Sequence, residues 1–200
     1  MFMKGLVLDT TVKRAYVAAF DGAKESVYYF DESLSTQSEL IPACEAVLSE
    51  VGMTPSDLDG VAAVVGPGSF TGIRIGVAFA NALAYALSVP RFSLTSFEVM
   101  RVARPDAPCY MIDAGHDSAY AARIVVGSLV QENLEKKDLP IGTVDQNDIL
   151  DLLPASALVA TRKAFEERAY SACVVTKECI YLKPNYMRKS QAERMKDNRA

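Results

Sequence analysis

Histidine is nearly absent from this chain of 200 residues, in which His116 stands alone. A metal site built on paired histidines is therefore excluded, and a histidine-based catalytic centre has a single candidate. Tryptophan is absent, and the four cysteines form no C-x-x-C pair, which favours reduced thiols in a cytoplasmic protein. The N-terminus turns acidic too early for a signal peptide, and no run is expected to reach the ~18 apolar residues of a membrane span.

A large excess of one charge is also lacking. The sequence has 21 Lys and Arg against 25 Asp and Glu, a net charge of −4, whereas a dedicated nucleic-acid binder usually carries a basic excess. Residues 183–200 are the exception, with six basic and two acidic side chains. This tail is either a solvated arm or a contact for RNA. Half of the residues are apolar, which is enough for a substantial core.

Apolar periodicity and turn residues predict alternating strands and helices, the pattern of an α/β fold. The predicted strands are at 6–8, 14–20, 26–30, 61–65, 92–94, 110–113, 119–122, 125–132 and 157–160. The predicted helices begin near Thr36, with Glu39 in capping-box spacing, and at 72–88, 96–103, 147–153 and 163–170. Residues 104–108 form a linker that separates two units, 1–103 and 104–200.

The second unit repeats the first in outline. Leu6–Asp9 aligns with Tyr110–Asp113, and continuing without a gap places Tyr16 on Tyr120. Each unit opens with an apolar strand that ends in an aspartate and a tight turn. The match is short, so a chance similarity stays open beside a structural repeat.

Glycines at 66, 68, 72 and 76 fit neither a dinucleotide fingerprint nor a P-loop. The turn can instead form an anion-binding site. Its donors are the backbone amides at the helix N-terminus, the hydroxyls of Ser69 and Thr71, and the charge of Arg74. A tight turn that lets the helix pack close to the sheet is the alternative. Asp9 and Asp113 either hold Mg²⁺ at their strand ends or cap their own turns.

The helix at 72–88 carries no charged residue between Gly76 and Pro90. The large apolar side chains spaced four residues apart are expected to face the core of this unit: Ile75, Phe79, Leu83 and Leu87. A helix that is apolar all round is normally buried on every side, so the second unit or another protein must cover the opposite face. The residues predicted to form a partner interface are Leu40, Cys44, Val47, Leu48, Ile73, Val77, Ala80, Asn81 and Tyr85.

Several motifs resemble the bacterial TsaB (YeaZ) family. The most specific is GPGSFTGIRIG at 66–76, and the others are at 8–11, 38–42, 56–61, 112–114, 119–122 and 181–188. The resemblance is strong over about residues 1 to 125, weak over 126 to 180, and returns in the tail. It implies two RNase H-like halves of the actin and sugar-kinase-like ATPase fold, with the second half shortened.

The resemblance also implies a function. TsaB is the non-catalytic partner of TsaD, which transfers a threonylcarbamoyl group to the tRNA adenosine beside the anticodon, while the ATPase TsaE drives turnover. This chain is accordingly expected to have no catalytic residue and no metal site. It is expected to bind TsaD, to meet TsaE and tRNA through that complex, to form a homodimer when alone, and to bind no membrane. Older descriptions call the family glycoprotease-like, but this sequence contains no protease machinery that would support the name.

One departure concerns the fold's nucleotide cleft. The usual basic pair after Asp113-Ala114 is replaced by Gly115-His116, and the phosphate signature after the first strand is missing. A degenerate site is expected, with no cofactor of its own and at most weak ATP or ADP at the partner interface. Its candidate residues are Asp9, Thr10, Gly68, Ser69, Thr71, Arg74 and Asp113. The alternative function is a small actin-fold ATPase or kinase that uses Asp9 and Asp113 with Mg²⁺.

Overall fold

The computed structural model describes residues 3–31, 35–171 and 181–187, and the side chains of residues 168–171 lie outside that description. The expectations for Cys173, Cys179 and residues 188–200 also lie outside it. In the described part Cys44 and Cys109 are buried free thiols.

The first unit is a five-stranded sheet with two helices on one of its faces. Its elements are β1 (Lys4–Asp9), β2 (Tyr16–Asp21), β3 (Lys24–Tyr29), α1 (Thr36–Val51), β4 (Gly60–Val64), α2 (Phe70–Leu87) and β5 (Arg91–Leu94). The strand order is β3-β2-β1-β4-β5. Short turns make β1 to β3 antiparallel, whereas the helical crossovers make β4 and β5 parallel to β1. This arrangement confirms the predicted order of three strands, a helix, a strand, a helix and a strand.

The second unit repeats part of this topology. After α3 (Ser96–Ala103), the last helix of the first unit, its elements are β6 (Cys109–Gly115), β7 (Ser118–Val125), β8 (Ser128–Glu135), β9 (Val144–Asp145) and α4 (Leu153–Ser171), with 3₁₀ helices at Lys136–Asp138 and Gln146–Leu152. The order β8-β7-β6-β9, with β9 parallel to β6, matches β3-β2-β1-β4. A single 3₁₀ turn replaces the counterpart of α1, so the second half is shortened as expected.

Four expectations for the second unit differ from the structure in detail. Residues 157–160 lie inside α4, because a short apolar run fits a strand and a buried helix equally well. Residues 125–132 are interrupted by a turn at Val126 and Gly127, which both have positive φ. The ungapped repeat also slips, since Asp9 pairs with Tyr16 but Asp113 pairs with Ala119. The predicted helix at 147–153 is 3₁₀ in form.

Two apolar clusters occupy the two faces of the first sheet. Leu6 and Leu8 of β1 pack under α1 and α2. Val7, on the opposite face, packs with α3, α4 and the second sheet. Helices α1 and α2 therefore form an outer layer whose far side meets neither the second sheet nor α4.

The start of α1 differs from the predicted capping box. Ser35 is the N-cap, and its hydroxyl accepts the Ser38 amide at 3.3 Å. The Glu39 carboxylate accepts instead from the Tyr28 hydroxyl at 3.3 Å and the Asp31 amide at 3.2 Å. These bonds tie the connection from β3 to the first turn of the helix.

Helix α2 corrects the expectation that no segment is long and apolar enough to span a membrane. Its 18 residues have a mean hydropathy of 1.4, and 33% of them are buried. An apolar helix packed on the sheet of a soluble protein can have the same length and hydropathy, and the buried side of α2 packs in that way against β1 and β4. Length and hydropathy alone are therefore weak evidence for a membrane segment.

Candidate functional site

The glycine-rich turn brings α2 unusually close to the end of β1. A Cβ atom on Gly72 would lie 1.7 Å from the Thr10 carbonyl oxygen, and one on Gly76 would lie 2.3 Å from the Thr10 hydroxyl oxygen. Thr10 Oγ1 donates to the Gly72 carbonyl oxygen at 2.6 Å, and the Ser69 amide donates to Thr11 O at 2.8 Å. Only glycine permits this approach, so the tight-packing interpretation of the turn is confirmed.

A cavity of about 620 Å³ opens beside this turn, between the starts of α1 and α2. Three of the predicted anion-site residues, Thr10, Ser69 and Thr71, contribute to its wall together with Lys13 and Asp31. Ser69 caps α2 by accepting the Gly72 amide at 3.2 Å. The predicted weak nucleotide binding stays a prediction.

Asp9 lies at the end of β1 with its side chain in the interior of the molecule, where it is 1% exposed. Its Oδ1 accepts from the Thr11 amide at 2.8 Å and from the Thr11 hydroxyl at 2.7 Å. Burial raises the pKa of Asp9 to about 6, and the Thr11 hydrogen bonds oppose that rise. Asp9 shares its sheet face with Val7 and with its cross-strand neighbour Tyr16, whose hydroxyl donates to the Leu153 carbonyl oxygen at 3.3 Å.

Asp113 lies in a different environment, because its side chain is 50% exposed and paired with Lys136 at 3.0 Å. It also accepts the Gly115 amide at 2.7 Å, and this bond, with Lys136, holds the pKa of Asp113 below its usual value. Ile112 points into the interior cluster, so strand alternation places Asp113 on the opposite face of its sheet. Asp9 and Asp113 therefore lie in different environments, one enclosed and one exposed, and a cleft shared by them stays a prediction. Among the described residues, no three His, Cys, Asp or Glu side chains form a possible metal site.

The two remaining residues of the predicted anion site serve packing. Arg74 lies over the Phe70 ring at 4.1 Å, and its Nε donates to the Tyr186 hydroxyl at 3.3 Å. Gly68 lies against Thr11, whose carbonyl oxygen would be 2.6 Å from an added Cβ. The glycine-rich turn thus gathers Thr10, Ser69 and Thr71 at the cavity, while Arg74 turns toward the C-terminal segment.

The orientation of α2 differs from the one predicted from its sequence, because the row of large side chains packs against the core only from its flank. The residues that face the sheet are Gly72, Ile73, Gly76, Val77, Ala80 and Ala84. The large row that was expected to face the core, Ile75, Phe79, Leu83 and Leu87, is only partly buried. The close approach at Gly72 and Gly76 fixes this rotation, and the spacing of small residues was the available signal.

Most residues of the predicted partner interface are buried within this chain. Seven of its residues lie in the core of the chain itself, each at most 6% exposed: Leu40, Cys44, Val47, Leu48, Ile73, Val77 and Ala80. Asn81 is partly buried, and its amide pairs with both backbone groups of Leu182. Of the predicted set, only Tyr85, at 68%, is strongly exposed.

The structure presents another apolar surface, which we name the outer α2 face. It consists of exposed Ala78, Ala82 and Tyr85, flanked by Ile75, Phe79 and Leu83, which are partly buried and also pack against the core. Ile41 of the neighbouring α1 is a further exposed apolar side chain, at 61%. A continuous apolar helix face of this kind is typical of a contact with another protein.

Comparison with known proteins identifies the family. A family model described as "TsaD: tRNA N6-adenosine threonylcarbamoyltransferase" matches residues 33–139, more than half of the chain. The Bacillus subtilis "tRNA threonylcarbamoyladenosine biosynthesis protein TsaB" is 36% identical over 76 residues, which is 38% of this chain and 32% of that protein. The Escherichia coli protein of the same name is 30% identical over 99 residues, covering 49% of this chain and 42% of that protein. This chain belongs to that family, in its TsaB (YeaZ) branch.

Two solved structures extend the comparison to the TsaB fold. YeaZ from Pseudomonas aeruginosa aligns with a TM-score of 0.57 and 25% identity over 70% of each chain. A second Pseudomonas aeruginosa protein, described as similar to the peptidase YeaZ, has a TM-score of 0.67 and 20% identity, over 93% of this chain and 100% of that one. The fold shared with these structures is mixed α/β, with two sheets of related strand order and a shortened second half. The TsaB matches cover only about a third to a half of the curated relatives' length.

Proposed function

We propose that this chain is a non-catalytic subunit in the synthesis of threonylcarbamoyladenosine in tRNA. In this proposal it binds a TsaD enzyme directly, meets TsaE and tRNA through that complex, and acts in the cytoplasm. Family membership and the printed names of the curated TsaB relatives support it. When TsaD is absent, we propose that a second copy of the chain occupies the same surface.

The outer α2 face is the observation that carries this proposal. Burying partly exposed side chains such as Phe79 and Leu83 would contribute about 25 cal/mol for each Å² removed from water. Exposed Ala78 and Ala82 lie between the large side chains and let another helix approach closely. Because no charged residue lies between Gly76 and Pro90, no desolvated charge opposes docking at this face.

The test is the double variant Ala78→Glu with Ala82→Glu. Both positions are exposed and one helical turn apart, so the carboxylates should leave the fold intact while placing two charges in the contact. We expect the affinity for TsaD from the same organism, measured by calorimetry, to fall at least about a hundredfold, since each buried unpaired charge costs several kcal/mol. The matched control is Ala155→Glu with Val159→Glu, an exposed pair of equal spacing on α4.

Wild-type affinity in the Ala78 and Ala82 variant, with an unchanged thermal unfolding curve, would refute the interface. An equal loss in the α4 control would refute it as well, because the effect would then follow from added charge alone. The buried residues Val77 and Ile73 are unsuitable for this test, since a charge at either would disrupt the core.

The alternative, an ATPase or kinase acting through Asp9 and Asp113, is disfavoured by the different environments of the two carboxylates. Asp9 is enclosed, whereas Asp113 is paired with Lys136 on the other face of its sheet. We propose instead that the chain has no cofactor of its own and that ATP or ADP binds weakly, at the partner interface. Tight calorimetric binding of MgATP to the free chain, lost in Asp9→Asn, would restore the enzymatic alternative.

A further inference from the structure

The C-terminal segment 181–187 lies along α2 and is held there by specific hydrogen bonds. The Asn81 side-chain amide donates to the Leu182 carbonyl oxygen at 3.1 Å and accepts the Leu182 amide at 2.9 Å. Further along, the backbone amide of Asn185 donates to the Val65 carbonyl oxygen at 2.8 Å. These contacts join residues about a hundred positions apart and fix the side chains of the segment in space.

Two of those side chains are tyrosines, and each is paired with an arginine of the first unit. Tyr186 packs on Phe70 with the ring centroids 4.9 Å apart, next to Arg74. At the other end, the Arg91 guanidinium lies 5.2 Å from the centre of the Tyr181 ring. Tyr181 is 52% exposed and Tyr186 is 41% exposed, so part of each ring faces solvent.

Exposed Lys183 lies between the two pairs along the segment. We name this surface the arginine–tyrosine stripe, formed by Phe70, Arg74, Arg91, Tyr181, Lys183 and Tyr186. No Asp or Glu occurs between positions 60 and 97 or between 181 and 192, although the whole chain carries a net charge of −4. The stripe itself therefore contains three cations and no acidic residue, and the sequence beyond it adds five basic residues against two acidic ones.

We propose that the arginine–tyrosine stripe is a direct contact surface for RNA. Lys183 of the segment, Arg74 of α2 and Arg91 of β5, which also donates to the Asn81 carbonyl oxygen, supply three cations for a phosphate backbone, and the exposed ring faces offer stacking positions for unpaired bases. This combination is the one that binding of single-stranded RNA uses, and an acidic protein segment as the occupant is an outcome of the experiment below. The inference rests on the proposed function only in the choice of tRNA as the probe.

The experiment measures binding of the full chain to a fluorescently labelled, unmodified tRNA transcript by anisotropy over a series of salt concentrations. We expect Arg74→Glu with Lys183→Glu to weaken binding at least tenfold and to reduce the slope of log affinity against log salt by about 1 to 2. Tyr181→Ala should weaken binding at least about fivefold through lost stacking, whereas Tyr181→Phe should bind as wild type. Lys163→Glu, on α4 and 74% exposed in its side chain, is the matched charge control.

Wild-type affinity and salt slope in both the charge-reversal and Tyr181→Ala variants would overturn the proposal. An equal loss in the Lys163→Glu control would also overturn it, because it would indicate only a non-specific charge effect. If the stripe variants keep RNA affinity but lose TsaD, the stripe is a protein contact and the RNA assignment fails. Failure of the proposed function is distinguishable, because it appears as wild-type TsaD affinity in the outer α2 face variant.

Discussion

Asp9 shows how burial changes the behaviour of a single carboxyl group. The side chain ends a strand whose neighbours are apolar, and the Thr11 hydrogen bonds compensate only part of its desolvation. Its pKa rises from the ordinary 3.8 to about 6. The folded state therefore holds this proton more tightly than the unfolded chain does.

The pH dependence of stability follows from this difference. Below about pH 4 the Asp9 carboxyl is protonated in both the folded and the unfolded state, so its titration does not change the free energy of unfolding. Between about pH 4 and pH 6 the unfolded chain loses the proton first, so the contribution of Asp9 to folding becomes unfavourable as pH rises, reaching about 3 kcal/mol above pH 6. We expect Asp9→Asn to gain stability relative to wild type over that range, measured by urea unfolding at pH 4, 5, 6 and 7. A stability difference that stays constant with pH would contradict the raised pKa.

At the residue scale, the sequence identified the glycine-rich turn and the two strand-end aspartates correctly as features of note. It could not show that Asp9 is enclosed while Asp113 is exposed, since both follow similar apolar strands. That difference depends on which sheet face meets the interior cluster, and strand alternation alone does not specify it.

At the scale of elements, α2 is the helix whose packing determines the candidate surfaces. Its sheet side is a row of glycine and alanine with Ile73 and Val77, and its outer side carries larger side chains. Side-chain size alone would place the row of large residues against the sheet. The glycine side faces the sheet instead, because Gly72 and Gly76 let the helix backbone lie directly on Thr10.

We therefore expect Gly72→Ala to be severely destabilising. Its Cβ would lie 1.7 Å from a backbone oxygen, so α2 or β1 must move, and overpacking of this kind costs about 1 to 3 kcal/mol or more. The comparison is Gly52→Ala, which has positive φ but no atom within 4 Å of an added Cβ and should cost about 1 kcal/mol. Thermal unfolding of both variants checks the order. A larger loss for Gly52→Ala would contradict the close approach.

The error at 157–160 has a similar origin at this scale. Ala157 and Leu158 are buried, whereas Val159 is 54% exposed. The short apolar run satisfies a strand pattern, and only its continuation through the 19 residues of α4 identifies it as part of a helix.

At the scale of the whole molecule, two related sheets are joined so that one helical layer stays on the outside. The interior cluster between the first sheet and the second unit includes α3 and α4. Helices α1 and α2 lie on the other side of the first sheet, where segment 181–187 of the second unit packs along part of α2. The exposed residues of α2 leave an outer surface, and its cover by another protein stays a prediction.

The free chain is therefore expected to form a dimer through the outer α2 face. Size exclusion with light scattering should give twice the chain mass of 21.7 kDa for wild type and for the α4 control pair. The Ala78→Glu with Ala82→Glu variant should give the mass of one chain. A wild-type monomer, or a variant that remains dimeric, would place the contact between copies elsewhere.

The α/β class, the order of elements in the first unit and the family could be predicted from the amino-acid sequence, because they depend on local periodicity, turn residues and specific motifs. The buried face of α2, the different environments of Asp9 and Asp113, and the position of segment 181–187 along α2 became known from the three-dimensional packing. These features arise from contacts between residues far apart in the chain. A periodic pattern gives the faces of an element, whereas the neighbours that cover each face are set by how the elements pack.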